Sequence, residues 1–353
     1  MKSKTQNHPK QPSDQSLDVQ LDCPLKYDEL KAFLSYSSTS PETLALNFPK
    51  EWQGTSWTKL FESERAEGTL STNFLKVWKE KLENLQNLEM ELPIIKKSNE
   101  SLEKLLLPLF KALPALKSFK CNPKTVEDND AEDKDYDEKI GAFPYDILDF
   151  TRFMDCLEEK KELEIFEMNY QEDEDPLARP RSTIKFHPKK QYYLAENLER
   201  VSLRFKFFKD FDFHSFFGIL LANHGSIKDV KLSMIYFDCP DALNGFLRLI
   251  DERLSESENM KLDLEISLYI DNLDKIFCYF NEPIILNKQQ VAVKLNVILK
   301  PPFGTPTIKM TDEIKDDFGR IFGNFQYNFI EFKLYNESSG PFAYKYHIRS
   351  RSS

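Results

Sequence analysis

A repeated spacing of leucines between residues 196 and 300 most limits what this chain can fold into. Four short segments there carry alternating apolar residues, and their central leucines lie 29, 32 and 31 residues apart, at Leu203, Leu232, Leu264 and Leu295. Residues 213–222, 242–254 and 273–280 follow the first three segments and have the apolar spacing of amphipathic helices. A strand and a helix repeated with a period of this size are the signature of a solenoid.

Alternation within these segments predicts a sheet with one buried face and one face in water, which we call the wet face. Successive side chains of a strand point to opposite sides, so every second residue shares a face. One set is apolar in each segment, and the residues between its members are mostly polar. The apolar set is Val201, Leu203, Phe205, Val230, Leu232, Met234, Leu262, Leu264 and Ile266.

The one-sided pattern decides between two α/β architectures. An ordinary parallel sheet is covered by helices on both faces, and its strands are continuous apolar runs. We therefore predict an open curved solenoid, with a parallel sheet on the concave face and helices on the convex face. The alternative is a closed (β/α)₈ barrel, since we count about nine strand-helix units. A barrel would enclose charges such as Asp263 and Lys294 in its core, which is costly.

Three segments resemble the LxxLxL core of leucine-rich repeats of the ribonuclease-inhibitor-like class. They are Leu198-x-x-Val201-x-Leu203, Ile227-x-x-Val230-x-Leu232 and Leu85-x-x-Leu88-x-Met90. The family's Asn or Cys after the strand is missing from most units, and Phe205–Phe208 and Ile235–Phe237 occupy that region. The resemblance covers about residues 44–334. It implies a helical convex side and a protein-binding scaffold without catalysis.

Changes in composition divide the chain into three parts. Residues 1–24 are polar and predict a disordered tail. Residues 25–336 form the predicted solenoid, with charged insertions near 124–139 and 171–190. Residues 337–353 predict a flexible C-terminal tail.

The first insertion contains an acidic run at 127–138, with eight carboxylates and one lysine. Such a charge density indicates a solvated loop, and attraction of a basic partner is the alternative. A calcium loop would begin like Asp133-x-Asp135-x-Asp137, but it needs a glycine where Glu138 stands.

The polar residues of the strands supply the candidate binding surface. The first predicted row across the sheet is Ser202, Lys231, Asp263, Lys294 and Glu331. The second is Arg204, Ser233, Glu265, Asn296 and Lys333. Charge signs mostly alternate between neighbouring strands, and opposite charges on adjacent strands stabilise each other modestly. This face is either a self-neutralising surface or a docking surface for a partner of mixed charge.

The sequence contains no recognised catalytic or metal-binding pattern. The five histidines are dispersed, with no HxxxH, CxxC or HExxH spacing, so we predict no metal site. Neither a GxSxG nor a GxxxxGK[ST] motif occurs, which argues against a hydrolase nucleophile or a P-loop. We predict a protein that is not an enzyme, that holds no cofactor and that binds one or more proteins.

Charge and cysteine usage set the remaining expectations. The net charge of −10 disfavours nucleic-acid binding. The alternative is a subunit of a ribonucleoprotein or nucleic-acid complex, using Lys189, Lys190 and the basic segment Tyr344–Arg351. Five scattered cysteines favour an intracellular, cytoplasmic location and leave the nucleus open. We expect no secretory signal and no membrane span. The partner and the oligomeric state stay open.

Overall fold

The computed structural model describes fourteen ranges of the chain. These are residues 42–47, 82–95, 106–107, 110–126, 147–170, 183–222, 226–237, 239–254, 260–270, 291–299, 311–313, 316, 330–336 and 344–348. The strands are β1 (Thr43–Asn47), β2 (Asn87–Ile95), β3 (Ser118–Val126), β4 (Ile147–Asp149), β5 (Ile165–Asn169), β6 (Thr183–Phe186), β7 (Arg200–Phe211), β8 (Asp229–Phe237), β9 (Lys261–Ile270), β10 (Val291–Leu299), β11 (Ile330–Asn336) and β12 (Tyr344–Ile348). The helices are α1 (Phe150–Glu159), α2 (Phe213–Ala222) and α3 (Pro240–Leu254).

All twelve strands belong to one sheet, which confirms the α/β class. Its main path runs β1-β2-β3-β5-β7-β8-β9-β10-β11-β12, while β4 pairs with β6 and β6 also pairs with β7. Every pairing is parallel except that of β11 with β12. Within the described ranges the path has two ends, β1 and β12, and no pairing joins them into a barrel.

The same backbone contact begins six successive units of the sheet. In five units two successive N–H groups just before or at the start of a strand donate to one carbonyl of the preceding unit, and in the sixth only the Lys261 N–H does so, over 2.7–3.1 Å. The accepting carbonyls belong to Glu42, Gln86, Lys117, Glu164, Glu199 and Lys228. Because the contact recurs from unit to unit, each of these strands begins in the same relation to the unit before it.

The hydrophobic core lies on one face of the sheet, as the alternation predicted. Phe166 of β5 is fully buried, and its ring centroid lies 5.9 Å from that of Phe110 and 6.0 Å from that of Phe150 in α1. Further along, Phe213 of α2 and Phe246 of α3 meet at 4.7 Å. The helices thus cover the face that carries the apolar set and leave the other face to water.

Met234 is the exception among the residues predicted to be buried. The pairing of β8 with β9 shifts between Leu232 and Ile235, so β8 contains one extra residue, a β-bulge. Ile235 takes the buried position at 0% exposure, and Met234 is only partly buried. Met234 has φ 68°, a left-handed conformation that a side chain makes costly.

Replacing Met234 with glycine should therefore leave a more stable protein than replacing it with alanine. Both substitutions remove the same side-chain packing, but only glycine adopts a positive φ without a steric cost. We expect a difference of about 1 kcal/mol in the free energy of unfolding, measured by urea denaturation. If the alanine variant is the more stable one, the bulge does not hold the backbone in this conformation.

The sheet is not curled, which differs from the expected concave surface. Curvature in a strand-helix solenoid arises because helices about 10 Å wide stack beside strands about 4.8 Å apart. In the described part of the chain, three complete helices accompany ten strands of the main path. Within the described ranges, therefore, few strands have a helix beside them that could produce this mismatch.

The order of elements differs from the sequence expectation in three places. The sequence predicts a helix at about residues 147–157, but α1 begins only at Phe150, after the short strand β4. The insertion predicted at 171–190 contains β6, and the tail predicted at 337–353 contains β12. Asp149 explains the first difference, since its carboxylate accepts from Thr151 N–H at 3.1 Å and caps α1.

Strand-forming residues explain the other two differences. Ile184 and Phe186 alternate in β6 and are buried, and Tyr344, Tyr346 and Ile348 alternate in β12. The predicted disordered residues 1–24, the acidic run 127–138 and the helix predicted at 273–280 lie outside the described residues.

Candidate functional site

Strand register confirms part of each predicted row on the wet face. Ser202 of β7 pairs with Lys231 of β8, which pairs with Asp263 of β9. In the second row, Arg204 pairs with Ser233. The bulge at Met234 then interrupts this second row before it reaches β9.

The step from β9 to β10 was predicted wrongly by two residues. Lys294 pairs with Glu265, and Asp263 pairs with Ala292. Consequently Leu264 lies beside Val293 rather than beside Leu295. A slip of two residues keeps every side chain on its own face, so alternation alone does not reveal it.

Beyond that step the predicted neighbours are confirmed by the backbone pairing. Lys294 pairs with Glu331 of β11, and Asn296 pairs with Lys333. Asn296 lies beside Ser267 of β9 instead of Glu265.

Glu265 and Lys294 form an ion pair between the neighbouring strands β9 and β10. The Lys294 Nζ donates to Glu265 Oε1 at 2.7 Å, and the two side chains are 35% and 21% exposed respectively. Burial alone would raise the pKa of Glu265, but the hydrogen bond and charge of Lys294 hold it below its usual value. Arg204 and Asn296 act in the same direction. This part of the wet face neutralises itself.

A polar hollow of about 600 Å³ opens on the wet face across β3, β5, β7, β8 and β9. We call it the wet-face hollow. Arg200 lies on its wall between two carboxylates, at 3.4 Å from Asp229 and 3.8 Å from Glu167. Its charge is therefore compensated within the wall.

Three other cations of the wet-face hollow form no such ion pair, although the charge of Arg204 acts on Glu265 from beyond ion-pair distance. Among the described residues, no carboxylate lies within ion-pair distance of Arg204, Lys231 or Lys261. Of the described lining residues outside the Arg200 cluster, only Asp263 is acidic. The hollow therefore carries excess positive charge, although the whole chain carries −10.

Two buried polar atoms at this part of the wet face have no hydrogen-bond partner among the described residues. They are Nε of Arg204, a donor, and Oδ1 of Asn296, an acceptor, and Asn296 is 9% exposed. Buried polar groups are normally satisfied, so each orphaned group calls for an explanation such as a bound group. The Arg204 guanidinium is well suited to a carboxylate or phosphate oxygen.

The sequence rows missed the residues at the beginning of each strand. Arg200, Asp229 and Lys261 form a further row, paired across β7, β8 and β9. The signal was present in the alternation, which continues two residues before Ser202, Lys231 and Asp263. Including one more outward-facing residue at the start of each strand would have identified these residues.

Metal and membrane sites have no support in the described part of the chain. No group of three or more His, Cys, Asp or Glu side chains there could hold a metal ion. None of its helices is long and apolar enough to cross a membrane.

The fold and the hollow define a class: an α/β protein whose mostly parallel sheet is covered on one face and open to water on the other. Neither the known family models nor the curated proteins match this chain. The resemblance to leucine-rich repeats thus depends on the residue pattern alone.

Proposed function

We propose that this chain is a non-catalytic scaffold of the leucine-rich-repeat type that binds a protein partner on its wet face. The main support is the wet-face hollow, in which three cations form no ion pair among the described residues, in a chain of strongly negative charge. The open, stacked units supply a broad surface on which a folded partner can rest, as in other solenoids.

The ion pairs elsewhere on the wet face indicate where a partner would bind. Glu265 is satisfied by Lys294, and Arg200 is satisfied by Asp229 and Glu167. Those groups would gain little electrostatic stabilisation from a partner. Lys231, Lys261 and Arg204 form no such ion pair and would gain more. The partner we propose therefore presents carboxylates to the hollow within a surface of mixed charge.

Charge reversal in the hollow tests this proposal. We expect Lys231→Glu with Lys261→Glu to weaken capture of the partner at least about tenfold, because two attractions become repulsions. The wild-type chain first captures partners from its native cells, mass spectrometry identifies them, and titration with a purified partner gives Kd. Lys294 is left unchanged because its loss would expose the Glu265 charge.

A matched control separates the hollow from overall charge. Lys111→Glu with Lys161→Glu makes the same change in net charge at exposed lysines outside the hollow. The proposal requires this control to bind like the wild type. Equal affinity of all three proteins would remove the hollow from the interface.

The nucleic-acid alternative has weaker support. Lys190 forms ion pairs with Glu158 at 2.7 Å and with Asp155 at 3.5 Å. Of the two predicted lysines, only Lys189 then remains to contact a phosphate. A gel-shift titration at low salt distinguishes the alternatives, since phosphate contacts are strongest there. Retarded RNA or DNA would favour the alternative over the scaffold.

A further inference from the structure

A second concavity lies on the helical side, away from the wet face. It measures about 530 Å³ and is bordered by residues 188–191, α2 and α3. We call it the helix-side groove. Among the described residues, its lining includes the cations Lys189, Lys190 and Arg253 and the imidazole of His214, and it includes no carboxylate. In a chain with a net charge of −10, such a lining is a local reversal of charge.

Arg253 contacts His214 at the border of the groove. Nη2 of Arg253 lies 2.7 Å from Nε2 of His214. A guanidinium can only donate, so Nε2 of His214 accepts this hydrogen bond. An imidazole carries no negative charge, so His214 does not cancel the charge of Arg253.

Two cations of the groove remain uncompensated. In the described part of the chain, neither Lys189 nor Arg253 has a carboxylate within ion-pair distance, whereas Lys190 has two. The Ser215 hydroxyl donates its hydrogen bond to the Asp212 carboxylate at 2.6 Å and is not available as a further donor. Lys189 and Arg253 thus supply two positive charges with free hydrogen-bond donors.

Gly218 opens the wall of the groove. It lies inside α2, where glycine weakens a helix relative to alanine. A Cβ at this position would meet no atom within 4 Å, so core packing does not require the glycine. Its absence of a side chain instead leaves space inside the groove.

We propose that the helix-side groove binds a phosphate group, held by Arg253 and Lys189. Two uncompensated cations match the charge of a phosphate dianion, and guanidinium recognises its oxygens in a forked geometry. The phosphate is carried either by a free phosphate ester or by a phosphorylated side chain. This site is separate from the wet-face hollow, so either can fail without the other.

Titration of the full chain with inorganic phosphate tests the proposal. Binding is measured by NMR from the chemical shifts of the backbone amides of α2. We expect saturable shifts at Ser215 and Gly218. The double variant Arg253→Gln with Lys189→Gln should bind at least about tenfold more weakly, because it removes two charged donors. Lys111→Gln with Lys161→Gln, the matched change outside the groove, should bind like the wild type.

Substitutions of Gly218 give a second, independent readout. Gly218→Glu adds a carboxylate to the groove, and Gly218→Gln adds a neutral side chain of the same size. We expect the Glu variant to bind phosphate at least about fivefold more weakly than the Gln variant, since like charges repel. Wild-type affinity in Gly218→Glu, or the absence of saturable shifts in the wild type, would overturn the proposal.

Two further probes identify the source of the phosphate. Glycerol 3-phosphate represents a free ester, and N-acetyl-phosphoserine amide represents a phosphorylated side chain. The probe that binds more tightly identifies the source of the phosphate, and binding of either probe supports the site. Failure of both to bind, with shifts no larger than those from sodium chloride, contradicts it.

Discussion

Alanine in place of Phe166 is expected to destabilise the protein by about 3–5 kcal/mol, the range for removing a large aromatic side chain from a core. Phe166 is fully buried on β5. Its ring centroid lies 5.7 Å from that of Phe119 on β3 and 6.0 Å from that of Phe153 on α1. The substitution would therefore open a cavity between the sheet and its covering helix.

Urea denaturation monitored by circular dichroism gives the free energy of unfolding for this comparison. Phe166→Leu is the matched variant, since it keeps most of the volume and should cost less than about 1.5 kcal/mol. A loss below about 1 kcal/mol for the alanine variant would show that Phe166 is not enclosed by its neighbours.

Lys160 should make the stability of the protein rise between pH 8 and 10.5. The side chain is 6% exposed, its Nζ donates to the Leu113 carbonyl, and it lies 5.4 Å from the centre of the Phe110 ring. Burial lowers the pKa of Lys160 from 10.5 to about 8. Below pH 8 the lysine is protonated in both states, and the cost of burying its charge is fully present.

Above pH 8 the folded protein releases this proton before the unfolded chain does. The unfolded chain then binds more protons, so the free energy of unfolding rises with pH until about 10.5. We expect a rise of about 2–3 kcal/mol from this group. Lys160→Met should lack the rise, and Lys161→Met, an exposed neighbour, should retain it.

The comparison must be made between variants because the buried thiols act in the opposite direction. Burial raises the pKa of Cys121 and of Cys156, so ionisation of these cysteines in the unfolded chain lowers stability at high pH. This contribution is common to all three proteins. Parallel curves for wild type and Lys160→Met from pH 7 to 10.5 would contradict the assignment to Lys160.

Local pattern was sufficient for the elements with strong periodicity. The helix predicted at 213–222 is α2, with the same bounds, and the parallel neighbours β7, β8 and β9 were all predicted. Polar Lys231 and Asp263 do face water, as their position in the alternation requires. These features depend on residues close in sequence, which is why they could be predicted.

The candidate site needed information that local pattern lacks. Its charges come from strands separated by about thirty residues, and their compensation depends on which ones become neighbours. Lys294 was assigned to the row of Asp263, yet it pairs with Glu265. The bulge at Met234 also changes the row of Ser233, and no turn or glycine marks it in the sequence.

By itself, the sequence determined which side of each strand is apolar, because hydrophobic burial depends on a side chain's own surface. It therefore determined a sheet with one covered face and the repeat of strand and helix. Tertiary structure alone decided the register between β9 and β10, the positive φ of Met234 and the absence of curl. Those features result from the competition of whole strands and helices for packing, where a slip of two residues leaves the pattern of each strand unchanged.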